Sequence, residues 1–447
     1  MPWKDLRHFM NFLEEKGDLV RIKKKVSTKY EVAAGIRKTS DIDGPALLFE
    51  NVEGYNIPIL GGLYASRRRV LDALETTNEK VLDKFLNGIR NPIPPKVVEK
   101  EAPCQEIVWI GDEIDLTRLP ICTYSLKDPG PYITGGIQIV KDPEYGRNIS
   151  IHRCMLKGKR RLGIYGSPTQ HLFQFYSRAE SRGESLDVAI AIGVDPVIAL
   201  ASQIKTTLGV DELALAGGLR GEAVELVRCK TVDVEVPANS EIVIEGKMPP
   251  KVREKEGPFG EYTGYYGKET LSPIIEVTAI TMRKNPIYQA VLTGKPVTEN
   301  HNLKQIPLEA SLYEHVKRTC PTVKSVHITP GGGCQNHAII SIKQTYKGQA
   351  KAVIFAALSS NLFLKHVVVV DDDIDIFNPI DVEWAIAYRV QATEDVYIFP
   401  QVVTALDPSA PEPDITAAIG IDATKPLDKP YPEVVEIPNT EKFKIPT

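Results

Sequence analysis

Hydrophobic periodicity changes twice along this chain, and those changes restrict its possible folds more than any other feature. From about residue 105 to 300, short β-branched runs recur: Val188–Val194, Val232–Val236, Glu241–Glu245, Ile274–Met282 and Ile287–Leu292. Such runs fit strands rather than helices. Asn285-Pro286 between the last two predicts a turn. One helix of small residues, Asp211–Leu219, interrupts the block. Before it, Leu6, Phe9, Met10 and Leu13 share a helical face that Gly17 ends. After it, helices Leu308–Arg318, Ala350–Leu362 and Val382–Tyr388 alternate with strands Ala338–Ile342 and His366–Val370. That alternation predicts an α/β layer.

The segment 91–103, NPIPPKVVEKEAP, reads as a linker. The fold class expected is α+β, in three parts: a mixed α/β domain over 1–100, a strand-rich domain over 105–305, and an α/β domain with a tail over 306–447. A strand-rich middle of this kind can close into a barrel-like sheet with a ligand at its mouth or edge. The C-terminal part is the place to expect homo-oligomer contacts.

Some function classes are excluded early. A net charge of -4 leaves no electrostatic footprint for nucleic acid. Six cysteines occur without a CxxC pair or a zinc spacing, which reads as reduced thiols. The opening lacks the apolar core of a signal peptide. The stretch Ala352–Val370 is broken by Ser359, Ser360, Asn361, Lys365 and His366, and is too polar to span a bilayer. A cytoplasmic location is expected.

Chemistry concentrates in three stretches. In Glu256-Gly257-Pro258-Phe259-Gly260-Glu261, glycines and a proline bend the chain between two carboxylates. Either both acids are solvated on a loop, or the neighbouring aromatics exclude water and make one a general acid. In Arg147-Asn148-Ile149-Ser150-Ile151-His152-Arg153, strand alternation puts Arg153 on the apolar side. A cation there needs an anion, either a structural acid or a substrate carboxylate. In Tyr165-Gly166-Ser167-Pro168-Thr169-Gln170-His171, small residues lead to hydroxyls and an imidazole suited to a phosphate or metal. Asn148, His171 and Glu212 offer an amide, an imidazole and a carboxylate, a set that suits a divalent ion if they meet. Glu212 alone also suits a helix-dipole partner. The glycine run 331–333 reads as a turn, and Asp371-Asp372-Asp373 as a solvated strand end.

Taken in order, RNISIHR, SPTQH, DELALAGGLRG, VPANSEIVIEG and EGPFGEYTGYYG resemble the UbiD decarboxylase family over nearly the whole chain. The resemblance implies a central flavin-reductase-like split β-barrel that holds prenylated FMN, with Mn2+ or another divalent ion, and K+ in some members. It implies metal ligation by Asn148, His171 and Glu212. It implies cofactor contacts from Ile151, His152, Arg153, Tyr165, Gly166, Ser167, Gln170 and His171. Arg153, Glu256 and Glu261 match the catalytic network, with Arg153 orienting a carboxylate and Glu261 donating a proton. Ala418 stands where the family often has a lysine, so the hold on the cofactor phosphate is left open.

The activity implied is reversible, non-oxidative decarboxylation of an aromatic, heteroaromatic or α,β-unsaturated acid, with a flavin prenyltransferase supplying the cofactor. The alternatives are an isoprenoid-precursor acid of the anhydromevalonate phosphate type, and a flavin-binding reductase without decarboxylase activity. A homo-oligomer, dimer or hexamer, is implied. The segment 293–301 is expected to edge the substrate pocket, where His301 either contacts a polar substituent or faces solvent. Leu308 argues against a second substrate carboxylate at its own position.

Overall fold

The computed structural model describes residues 3–99, 101–360, 362–404, 406–412 and 415–438. Asn361 and the last nine residues of the tail lie outside them. The chain has a mixed α/β architecture with a ten-stranded sheet at its centre. The strand order runs Tyr132–Ile133, Cys154–Leu156, Arg161–Ile164, Thr270–Met282, Ile242–Met248, Leu186–Ile192, Gly136–Asp142 and Gly146–Ile151. Arg253–Glu256 and Ile107–Ile110 add to the long strand Thr270–Met282.

Both faces of this sheet are covered, which explains apolar runs where a half-buried strand would alternate. Val188, Ile190 and Ile192 enter one core, while Ala189 and Ala191 enter the other. Each fully buried Val or Ile contributes roughly 1.5–3 kcal/mol relative to exposure. The N-terminal helix Leu6–Glu15 buries its expected stripe, and Asp5 caps it by accepting from the His8 amide at 2.9 Å. Gly17 follows at φ 75°, which suits glycine.

Two readings of the sequence are corrected. The stretch after Asn285-Pro286 is a two-residue strand, Tyr288–Gln289, that pairs in parallel with Ile59–Gly61 in a four-stranded N-terminal sheet. The Ile287 amide donates to buried Glu241 at 3.0 Å, and Arg7 grips the same carboxylate with two bonds of 2.7 Å. Those bonds draw the segment toward the N-terminal part. The presumed linker also carries structure, because Lys96–Val97 pairs with the strand Glu225–Arg228.

The C-terminal layer is a five-stranded sheet with order Val323–Ile328, His337–Ile342, His366–Asp371, Ile415–Ala423 and Val396–Val403. Helix Gln349–Leu358 packs on it. The helix expected from Leu308 starts earlier and runs Glu299–Thr319, with Pro307 inside it. Asp371 and Asp373 bond buried Arg389 at 2.9–3.1 Å, so this strand end neutralises a core cation. No described helix is long and apolar enough to cross a membrane. All six cysteines are free.

Candidate active site

Arg153 is aimed by its neighbour. The strand Gly146–Ile151 ends one residue before His152, and Gln138 on the adjacent strand takes both main-chain groups of that residue. The His152 amide donates to Gln138 Oε1 at 2.7 Å, and Gln138 Nε2 donates to the His152 carbonyl at 3.0 Å. Arg153 Nε and Nη2 then donate to the two oxygens of Glu256 at 2.8 and 2.9 Å, while Nη1 donates to Glu261 Oε1. The rings of Tyr165 and Phe259 lie 4.0 and 4.9 Å from the guanidinium carbon. Burial opposes the charge of Arg153, but the two carboxylates outweigh it and hold its pKa above the usual value.

Both acids are buried, Glu256 completely, so they are not a solvated loop pair. Glu256 ends a strand that pairs with Thr270, and Gly257 turns the chain at φ 84°. The bend is closed by Glu261 N–H donating to Tyr265 O at 2.9 Å and by Gly267 N–H donating to Phe259 O at 2.8 Å. A Cβ at Gly267 would stand 2.9 Å from Glu261 Oε1, so only glycine leaves that carboxyl its place. Burial raises the pKa of Glu261, against the opposing pull of Arg153. A raised carboxyl in a dry pocket is the condition for donating a proton at neutral pH.

Asn148, Glu212 and His171 line one cavity of about 680 Å³. Asp211 caps the helix Glu212–Arg220 by accepting from the Leu213 amide at 2.9 Å, which fixes the position of Glu212. Glu212 accepts from Asn148 Nδ2 at 2.8 Å and from the Ile149 amide at 3.0 Å. Burial pushes Glu212 up to about 7. Asn148 Oδ1 is buried with no hydrogen-bond partner among the described residues, and such an orphan is costly. His171 opens the helix His171–Ser181, and burial lowers its pKa toward the neutral form that ligates metals. An orphaned amide oxygen, a neutral imidazole and a carboxylate fit a divalent cation. Among the described residues, no group of three or more His, Cys, Asp or Glu could hold a metal, and this set brings only two such side chains together with the Asn148 amide.

A second cavity of about 260 Å³ is lined by Arg153, Tyr165, Gly166, Ser167 and Glu261. The two cavities share Ile151, His152, Gln170, Gln203 and Lys205, so they form one cleft with Asn148, His171 and Glu212 at one end and Arg153 and Glu261 at the other. Ser167 N–H donates to Gln170 Oε1 at 2.7 Å, which shapes the loop between the ends. Burial lowers His152 to about 3, so its ring is neutral. A cleft of this size, with small residues beside it, accommodates a flavin mononucleotide. Leu308 lines the smaller cavity. His301 lines neither: its Nδ1 accepts from the Thr298 amide at 2.9 Å and its Nε2 lies 2.7 Å from Tyr262 O. Its ring therefore caps the helix Glu299–Thr319.

Sequence reasoning missed two lysines. Lys205 is exposed and lines both cavities, and its ammonium makes no hydrogen bond or ion pair among the described residues. Lys304 lines the smaller cavity from the helix Glu299–Thr319. Neither sits in a motif. The one available signal was a lysine at 304 amid a helix turn of buried residues, Leu303 to Ile306.

Family models match in three consecutive pieces: the 3-octaprenyl-4-hydroxybenzoate carboxy-lyase N-terminal domain over residues 10–89, its Rift-related domain over 96–296, and its C-terminal domain over 301–423. An anhydromevalonate phosphate decarboxylase from Methanothermobacter thermautotrophicus is 38% identical over 93% of this chain and 96% of its own. The structure of the UbiD-class enzyme HmfF from Pelotomaculum thermopropionicum with FMN superposes with a TM-score of 0.91 at 46% identity, covering 98% and 99% of the two chains. An evolved dimeric form of HmfF has been solved with prFMN, at 45% identity and a TM-score of 0.90, each chain 99% covered. Vanillic acid decarboxylase from Sedimentibacter hydroxybenzoicus gives 0.91 at 32% identity, covering 99% and 98%.

Proposed function

This chain belongs to the UbiD family of carboxy-lyases, and from that premise we propose that it reversibly decarboxylates an aromatic, heteroaromatic or α,β-unsaturated acid with prenylated FMN. The observation that carries this reading is the buried Glu256–Arg153–Glu261 network opening onto a cleft large enough for a flavin.

Loss of CO2 from an sp2 carbon leaves a carbanion that no side chain stabilises, and bound prenylated FMN supplies the electron sink. The protein supplies orientation, dryness and a proton. Ile151, His152, Tyr165, Gly166, Ser167 and Gln170 would shape the flavin site. Asn148, His171 and Glu212 would hold the divalent ion. Lys205, which lines both ends of the cleft, would meet the cofactor phosphate, and Ala418 lines neither cavity. Glu256 fixes Arg153 through a two-pronged bond, leaving donors for the substrate carboxylate. Glu261, protonated, returns a proton to the carbon that CO2 has left. Hydride transfer has no use for two buried acids on one arginine, which disfavours a plain reductase.

A second reading, an isoprenoid-precursor acid, is favoured by the 38% identical anhydromevalonate phosphate decarboxylase. The test is to produce the protein with a flavin prenyltransferase, identify the bound cofactor by mass spectrometry and screen acids for CO2 release. Prenylated FMN and CO2 from at least one unsaturated acid are expected. Unmodified FMN with equal activity, or no CO2 from any acid, would overturn the proposal.

A further inference from the structure

Lys304 is out of place in a site built only to handle one carboxylate. Its side chain is 6% exposed, on the wall of the smaller cavity. Its Nζ donates to Gln335 Oε1 at 3.0 Å and sits 3.6 Å from the centre of the Tyr262 ring. A neutral amide and an aromatic face stabilise an ammonium, but neither neutralises it. No carboxylate stands within ion-pair distance among the described residues, and the nearby acid Glu261 is already held by Arg153. Burial pushes the Lys304 amine down to about 7, with Cys334, Lys205 and Glu261 as the charged or titratable groups around it.

The cation also works against the chemistry. A positive charge near Glu261 favours its ionised form, whereas a proton donor must stay protonated. A second anion in the pocket would remove that conflict and complete the hydrogen bonding of the ammonium. We infer that the substrate is a dianion whose second anionic group, a carboxylate or a phosphate, is bound by Lys304 while Arg153 takes the carboxylate that leaves. The inference rests on the decarboxylase reading and narrows its substrate class. Leu308, one helical turn along, is apolar because the contact is made from position 304.

The test compares three acids on the holoenzyme: a phosphorylated α,β-unsaturated aliphatic acid, a heteroaromatic dicarboxylate, and a monoanionic hydroxyarene carboxylate. At least one dianion is expected to have the lowest KM, and the first two arms separate phosphate from carboxylate. Lys304→Met should raise KM for that dianion about 30-fold or more, with a smaller change in kcat, and Lys304→Arg should restore part of the loss. Calorimetric binding of the same dianion, read without turnover, should weaken in parallel. Equal KM for the monoanion and both dianions, or an equal loss in Lys304→Met for all three acids, would overturn the inference. Should the wild type bind a dianion, Lys304→Met fail to bind it, and neither release CO2, the anion site stands and the decarboxylase reading fails.

Discussion

A guanidinium offers five N–H donors, and Arg153 commits three of them to Glu256 and Glu261. That division leaves two donors, which the proposed mechanism gives to the substrate carboxylate. Glu261→Gln keeps the shape and removes the transferable proton, so turnover should fall by about 100-fold or more while cofactor stays bound. Stopped-assay CO2 release against cofactor content separates the two effects, and near-wild-type turnover would remove Glu261 from the mechanism. Because the pKa of Glu261 is raised, its protonated form persists above the ordinary carboxylate range. Activity should therefore hold at lower pH and decline as pH rises through that raised value. A profile rising over the same limb would assign the essential group to a base. Gly267→Ala places a methyl against Glu261 Oε1 and should lower kcat more than it lowers Tm.

At the scale of elements, the strand Gly146–Ile151 delivers both ends of the site: Asn148 toward Glu212, then Arg153 just beyond its last residue. The strand ends at Ile151, so its alternation stops short of Arg153, but the arginine does meet anions, and the two glutamates on the bend are those anions. Their meeting was not legible, because residues 153 and 256 join only through sheet pairing. The same limit explains Ile287–Leu292. A strand pattern shows that a segment pairs, and the Glu241 bond to the Ile287 amide decides where. His301 read as a loop histidine because the helix start at Glu299 follows no apolar stripe. Asn148→Ala or Glu212→Ala should lose metal and cofactor together, measured by metal analysis and flavin absorbance on purified protein. Full retention of both would remove these residues from the ion site.

At the scale of the whole molecule, the cleft joins the central sheet to the helix Glu299–Thr319, so its walls come from different parts of the chain. Helix Pro379–Arg389 leaves Ile380, Trp384 and Tyr388 exposed at a spacing of four, one apolar stripe on the outer surface. We propose a homo-oligomer contact at this stripe. Trp384→Glu should shift the mass measured by light scattering to a smaller species, and an unchanged mass would move the contact elsewhere.

The measurement that bears most directly on the proposed acid-base network is decarboxylation of a carboxyl-labelled acid in heavy water. Enzyme produced with a flavin prenyltransferase should release labelled CO2 and leave one deuterium on the vacated carbon. Glu261→Gln should do neither at a comparable rate. Equal release from protein lacking the prenylated cofactor, or unimpaired deuterium delivery by Glu261→Gln, would contradict it.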